Sequence, residues 1–380
     1  MRLYEFEGAD LFRRENIRTP DFGLAASPAE ARAKAAELGP PVVLKAQVLT
    51  GGRWLAGGVQ VARTIGEAEA AAARILSTPL RGFPVQQIMV ARQVEAVREY
   101  YLGITLDDYR GTPVAILSAQ GGVAINQTAQ EAPETVVRQP LSISRGLPKQ
   151  QARHMCREAG LPAEEQSGVA EVLTSLYRVF ANYDALVAEI NPLARTADGS
   201  FVALDSKVEI DDSSLFRHPD LNLSVEGRTA NPLERKGRQI GVTYVELEGD
   251  IAIIASGAGL GMASMDVISQ KLRPANFLET GGAITADLLY RVMALVLEKP
   301  GIRGIFINIY GGINPIHEGA KGVVKYLQEH PVSIPIVAKA LGNHQEETWE
   351  IFRANGIHVT SGVSTEEGVE ELVRLLEAKR

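Results

Sequence analysis

A single cysteine, Cys156, is all that the 380 residues hold, so no intrachain disulfide can form and a secreted disulfide framework is excluded. Its polar, helix-like context predicts an inert thiol rather than a nucleophile. Long apolar runs are also missing. None approaches the roughly 18 residues that a membrane-spanning helix needs. The opening "MRLYEFEGADLFRREN" carries acids where a signal peptide would be apolar, so a cytoplasmic chain with no membrane partner is expected. A basic excess is lacking too: 39 Lys and Arg face 46 Asp and Glu, for a net charge of −7, which argues against a nucleic-acid partner. No Ser-His-Asp or Cys-His order stands out. The histidines at 154, 218, 317, 330, 344 and 358 are scattered without metal spacing and are expected mostly at the surface.

What is present is a globular composition, 45% hydrophobic and 22% charged, in a chain longer than one core usually supports. "YEFEGADLFRRENI" reads as an amphipathic helix within Met1 to about Phe22, with Phe6, Leu11, Phe12 and Ile17 near helical spacing and Pro20 as its stop. "SPAEARAKAAELG" predicts a helix with Ser27 as N-cap, Pro28 at the first helical position, Glu30 in the capping-box place and Gly39 past its end. "PVVLKAQV" and "GVQVART" then read as a hairpin around a glycine loop, followed by strands in "FPVQQIMVARQV", "REYYLGITLDD" and "TPVAILSAQGG" and a helical stretch from Leu161 to Asn182. This half is α+β.

Around residues 225–240 the periodicity fails and Gly, Pro, Asn and charge accumulate, which predicts a domain boundary. Beyond it "DIAIIAS", "ANFLET", "GIRGIFINIY", "SIPIVAKAL" and "GIHVTSG" alternate with helical segments. That alternation predicts a doubly wound parallel sheet, with ligands at the carboxyl ends of its strands.

Three stretches carry chemistry. Lys45 interrupts an apolar strand just before the glycine loop "LTGGRWLAGG", as a phosphate-contacting cation or as an edge-strand lysine that discourages aggregation. In "AEINPLARTADGSFVALDSKVEI" a hairpin centred on Asp198 sets Asn191 opposite Asp205 and Glu189 opposite Lys207, all on one face. An amide oxygen beside a carboxylate offers hard ligands suited to Mg²⁺, against the plainer reading of a solvated face with one salt bridge. "IAIIASGAGLGMASMD" is a strand, a glycine turn and a helix start. Its glycines at 257, 259 and 261 miss the dinucleotide fingerprint, yet a helix opening of this kind favours an anion.

Together "LYEFEGADLF", "VLKAQVLTGGR", "YYLG", "AEINPL", "ALDSKV", "LFRHPDL", "GAGLGMASMD", "PANFLETGG" and "INIYGGI" make the chain similar, nearly end to end, to the β subunits of succinyl-CoA synthetases, which are ATP-grasp proteins. The resemblance implies a mixed α/β and α+β fold: a two-lobed ATP-grasp region at 1–230, with an inserted lobe at about 21–98, then a flavodoxin-like doubly wound domain at 240–380. It implies a nucleotide-binding subunit of an ADP- or GDP-forming acid–CoA ligase, with a non-catalytic or regulatory subunit on the same scaffold as the alternative. By resemblance Lys45, Gly52, Arg53 and Glu99 hold the nucleotide, Asn191 and Asp205 hold Mg²⁺, and Glu189 meets a phosphorylated histidine. Gly312 and Ile313 lie near the acid, and the helix opening at Gly259 to Met262 faces the phosphohistidine.

That histidine and most of the CoA site belong, in the family, to a separate α-type subunit, giving an α2β2 or αβ assembly. ATP or GTP and CoA are the co-substrates of succinate or a related small acid. The departures are local. Trp54 and Leu55 replace a glycine and a lysine at the loop tip, which predicts a lid closing over the nucleotide by apolar contact. Ala91 stands for a glutamate, Ser256 for a substrate-side asparagine and Ser206 for a glycine. "KALGN" from Lys339 replaces a stretch with an arginine and a glutamate, and Asn314 adds a polar group beside the acid.

Overall fold

The computed structural model describes residues 1–122, 135–223, 228–229, 231–282 and 284–378. Two compact units make up the chain, Met1–Leu223 and Ser224–Arg380. Part of the stretch where a boundary is expected, residues 225–227 and 230, lies outside the described residues. Among the described residues no helix is long and apolar enough to cross a membrane.

The first unit opens with α1 (Glu5–Arg14), β1 (Phe22–Ala25), α2 (Pro28–Leu38), β2 (Val42–Ala46), β3 (Val59–Ala62), α3 (Ile65–Ser77) and β4 (Ile88–Arg92). The four strands form an antiparallel sheet in the order β1-β4-β2-β3. Helix α2 has the limits its caps dictate: the Ser27 hydroxyl accepts the Glu30 N–H at 3.2 Å, and Gly39 leaves the helix at φ 77°. Helix α1 is shorter than the periodicity suggests. It ends at Arg14, Asn16 turns the chain at φ 64°, and Ile17 is buried outside the helix. The arithmetic of apolar spacing ran across that turn, because a buried loop residue can fall at a helical interval by chance.

A second antiparallel sheet is built from β5 (Arg98–Asp107), β6 (Thr112–Ser118), β7 (Val136–Pro140), β8 (Ala185–Arg195), β9 (Phe201–Ala203) and β10 (Lys207–Ile210). Its order is β10-β8-β5-β6-β7, with β9 also on β8. Helices α4 (Lys149–Glu158) and α5 (Ala163–Asn182) supply Met155, Leu173 and Leu176 to the same core as Leu102, Ile104 and Ile190.

The second unit runs α6 (Pro232–Ile240), β11 (Thr243–Glu246), β12 (Ile251–Ala255), α7 (Ala258–Ser269), β13 (Asn276–Glu279), α8 (Ala286–Glu298), β14 (Gly304–Gly311), α9 (Ile316–Glu329), β15 (Ile336–Gly342), α10 (Gln345–Ala354), β16 (His358–Thr360) and α11 (Thr365–Glu377). The sheet order is β11-β13-β12-β14-β15-β16, parallel except for β11, which pairs antiparallel with β13. All five residues of β12 are buried, as expected for a strand covered on both faces. Strand alternation shows in β14: Ile305 and Ile307 enter one core and Phe306 the other. Doubly wound connectivity follows, because each face needs helices to cover it.

Candidate active site

Lys45 does not sit on a sheet edge. Strand β2 runs between β4 and β3, so the edge-strand reading of this lysine fails. Its ammonium lies 2.6 Å from Glu5 Oε1 and also donates to the Leu204 carbonyl at 2.5 Å. The loop between β2 and β3 brings Arg53 to the same place. Arg53 Nη2 stands 2.7 Å from Glu5 Oε2 and 2.9 Å and 3.0 Å from the two Asp205 oxygens, while Nη1 donates to the Ala46 carbonyl. Two cations and two carboxylates thus converge with formal charges that cancel.

Their surroundings differ. The Glu5 side chain is 2% exposed, that of Arg53 11% and that of Asp205 39%. Burial works against the Glu5 charge, but Arg53 and Lys45 outweigh it and hold the carboxyl below the usual glutamate range. Asp205 is pushed up instead, by desolvation first and by the Glu5 charge second. Glu5 Oε2 has no aligned hydrogen-bond donor among the described residues, despite its ion-pair contact with Arg53.

The glycine loop is folded locally. Ala56 N–H donates to the Gly52 carbonyl and Gly58 N–H to the Arg53 carbonyl. Gly52 adopts φ 69°, a left-handed conformation that suits glycine. Trp54 and Leu55 stand out from this loop, 58% and 74% exposed.

The β8–β10 hairpin has the centring expected from Asp198. Lys207 pairs with Glu189, their side chains 3.1 Å apart, and Leu193 pairs with Ala203. Leu204 N–H donates to the Pro192 carbonyl, so Asn191 and Asp205 fall between rungs of one register. Asn191 Oδ1 accepts the Gly122 N–H at 2.7 Å, and a Cβ on Gly122 would meet Glu99 Oε2 at 2.9 Å; Asn191 and the exposed Glu99 therefore border the same glycine. Tyr101 beside the hairpin is pushed up by burial and by the Glu189 charge.

The donor set fits Mg²⁺. An amide oxygen and a half-open carboxylate already engaged with a cation are hard ligands, and an ion that keeps several waters asks for no more from the protein.

The residues expected on the acid side belong to the second unit. Ser256 Oγ accepts the Tyr310 N–H at 2.8 Å and lies 3.1 Å from the Tyr310 carbonyl. Gly312 and Ile313 form the exposed turn after β14, with Ile313 91% exposed, and the Asn314 amide donates to the Gly282 carbonyl. Gly257 caps α7 without a side-chain hydrogen bond, so the N–H groups at its start are not closed by a cap side chain. Ala91 is buried in β4, within the small sheet. Cys156 is buried and its thiol is pushed up to about 11 by desolvation, as an inert cysteine should be.

Sequence reasoning missed Glu5. Its signal was available: Glu5, Gly8, Ala9 and Phe12 are all buried at spacings of three, four and seven, so an acid occupies the apolar stripe of α1. Ser206, which replaces a glycine of the family pattern, donates to the Glu5 carbonyl at 2.7 Å and fixes the helix start that carries this acid.

Residues 2–195 match the family described as ATP-grasp domain and residues 254–377 the one described as CoA-ligase. The chain is similar to the β subunit of an ADP-forming succinate–CoA ligase from Chloroflexus aurantiacus, 41% identical over 348 residues, 91% of this chain and 92% of that one. It is also similar to the GDP-forming counterpart from Thermus thermophilus, 39% identical over 360 residues, covering 94% and 95%. The structure of ATP citrate lyase from Methanothrix soehngenii, bound to citrate and coenzyme A, aligns with TM-score 0.76 at 18% identity over 98% and 99% of the two chains, a likeness of fold.

Proposed function

The chain belongs to the succinate–CoA ligase β-subunit family, and from that premise we propose that it uses Mg-ATP or Mg-GTP to phosphorylate a histidine on an α-type partner. It is the β subunit of an acid–CoA ligase that forms a nucleoside diphosphate. The terminal phosphoryl group passes to an imidazole nitrogen of the partner and the diphosphate leaves. The carboxylate of succinate or a related small acid then takes the phosphoryl group as an acyl phosphate. The CoA thiolate attacks that carbonyl and expels inorganic phosphate. CoA is held mainly by the partner, in an αβ or α2β2 assembly.

The observation that carries this reading is the four-charge cluster of Glu5, Lys45, Arg53 and Asp205. Lys45 and Arg53 are largely enclosed cations, 12% and 11% exposed, each paired with carboxylates that phosphate oxygens can replace. Gly52 allows the backbone to approach the phosphates, while Glu99 contacts the nucleotide and Trp54 covers it. Asn191 and Asp205 would hold Mg²⁺, which when bound would offset negative charge on the phosphates. Glu189, oriented by Lys207, receives the partner's phosphohistidine. Ser256, Gly312, Ile313 and Asn314 border the acid, and the uncapped start of α7 offers N–H groups to the phosphoryl group.

The test is co-purification with an α-type partner and incubation with γ-labelled Mg-ATP. Acid-labile label on a histidine of the partner supports the mechanism; label on this chain overturns it.

A further inference from the structure

We propose that His317, His344 and Glu347 form a binding site for a divalent transition metal, with Zn²⁺ as its natural class, separate from the Mg²⁺–nucleotide site. The histidines looked scattered in the sequence, yet the fold brings these two rings to 4.4 Å between centroids. One donor atom from each of the three side chains lies within 4.8 Å of the other two. His344 Nδ1 is 3.2 Å from Glu347 Oε2, and His317 Nε2 is 3.9 Å from the same oxygen. Zinc bonds of about 2.1 Å set tetrahedral donors about 3.4 Å apart, so the present spacing closes on an ion with small side-chain shifts. Two imidazoles and one carboxylate, with a position left for water, suit Zn²⁺ better than Mg²⁺.

The donors stand on firm ground. His317 lies in the first turn of α9, while His344 is the N-cap residue of α10 and Glu347 lies in its first turn. The two loops are tied by Asn343 N–H to the Gly311 carbonyl at 2.7 Å, the Asn343 amide to the Ile313 carbonyl at 2.8 Å, and Ile316 N–H to the Asn343 carbonyl at 3.3 Å. His344 adopts φ 60°, a left-handed conformation uncommon outside glycine, and its ring lies against Glu347. His317 is 13% exposed, and its Nδ1 is buried with no hydrogen-bond partner among the described residues. The nitrogen that faces Glu347 is Nε2, which is the one placed to ligate. A second carboxylate, Glu318, stands 3.1 Å from His317 Nε2 and is itself paired with Lys321 at 2.6 Å. His344 and Glu347 remain 49% and 47% exposed, so the ion has an entry path. An ion here staples the turn after β14 to the turn after β15.

The experiment titrates the full chain with Co²⁺ and Zn²⁺ in excess Mg²⁺, reading visible Co²⁺ absorption, stoichiometry by calorimetry and the rise in Tm. One equivalent should bind, with the intense absorption of a four-coordinate Co²⁺ site. His344→Ala and Glu347→Gln should each weaken binding by tenfold or more. His154→Ala, on α4, should leave it unchanged. If His317→Ala fails to fold, the two exposed-donor variants still decide the matter. Absence of binding, or equal affinity in His344→Ala and the parent chain, overturns the site.

Discussion

One guanidinium nitrogen of Arg53, Nη2, reaches both oxygens of Asp205, at 2.9 and 3.0 Å. The same nitrogen lies 2.7 Å from Glu5, so two carboxylates share one cation. Under the proposed function, Asp205 would exchange this guanidinium for Mg²⁺ when the nucleotide binds, which would free Arg53 for the phosphates.

Asp205→Ala should therefore abolish nucleotide-dependent phosphorylation of the partner while the chain stays folded. The side chain is 39% exposed and lies on a polar hairpin face, so its loss removes a metal ligand without opening a core. Circular dichroism and phosphorylation of the partner measure the two effects. Unchanged phosphorylation ends the metal assignment.

Glu5→Gln separates stability from binding. Removing one member of a buried ion cluster costs on the order of 3 kcal/mol, because it leaves positive charge unmatched. The same surplus favours phosphate, so Mg-ATP should raise the Tm of the variant more than that of the parent. The pH dependence has a fixed sign. Glu5 is held below the usual glutamate range, so its contribution is complete above the unfolded-state pKa and is lost as pH falls through the folded value. Asp205, pushed up, contributes in the opposite direction. Denaturant midpoints should show the gap between parent and Glu5→Gln closing in acid. A gap constant with pH would rule out the carboxylate role.

Much of this was legible before any coordinates, for physical reasons. The Ser27 and Gly39 caps of α2 are local chemistry, and the hairpin register follows from the turn at Asp198. The central strands β12, β14 and β15 of the second unit announce themselves because burial on both faces demands near-unbroken apolar runs. Residues joined only by tertiary packing were hidden. Glu5 on α1 meets Lys45 on β2 and Arg53 on the loop after it, and His317 meets His344 through two strand-end turns; neither spacing is a linear motif. Strand β11 was missed because it is short, lies at an edge and alternates polar with apolar residues.

The loop tip gives an optical test. Trp54 is 58% exposed, whereas the chain's other tryptophan, Trp349, donates its indole N–H to the Ala340 carbonyl and is partly buried. Closure over a nucleotide buries up to about 150–250 Å² of indole and strengthens the phosphate contacts by excluding water. Mg-ATP should shift the Trp54 emission to the blue, and a Trp54→Gly, Leu55→Lys double variant should alter nucleotide affinity. An unmoved spectrum with unaltered affinity would mean that the tip is merely exposed.

The choice of acid depends on which polar groups at the strand ends are already committed. Ser256 accepts the Tyr310 N–H and faces the Tyr310 carbonyl, so its hydroxyl stitches the ends of β12 and β14 together. The Asn314 amide is likewise committed to the Gly282 carbonyl. Compared with the asparagine of the family pattern, Ser256 is shorter by an amide group, which leaves a wider and differently polar space at the strand ends. A site built for one hydrogen-bond pattern rejects analogues lacking it by large factors. Succinate should therefore rank below another small acid that carries a second anionic group or a hydroxyl. Ser256→Asn should move the ratio of kcat/KM back toward succinate by about tenfold, roughly 1.4 kcal/mol. Ser256→Ala removes the stitch without restoring reach, and should lower stability by about 1 kcal/mol while leaving the ranking of acids as it is. Steady-state kcat/KM for succinate, malate, glutarate and sulfonated acids decides the matter: a parent enzyme that prefers succinate by tenfold or more excludes altered specificity, with a water then standing where the amide was.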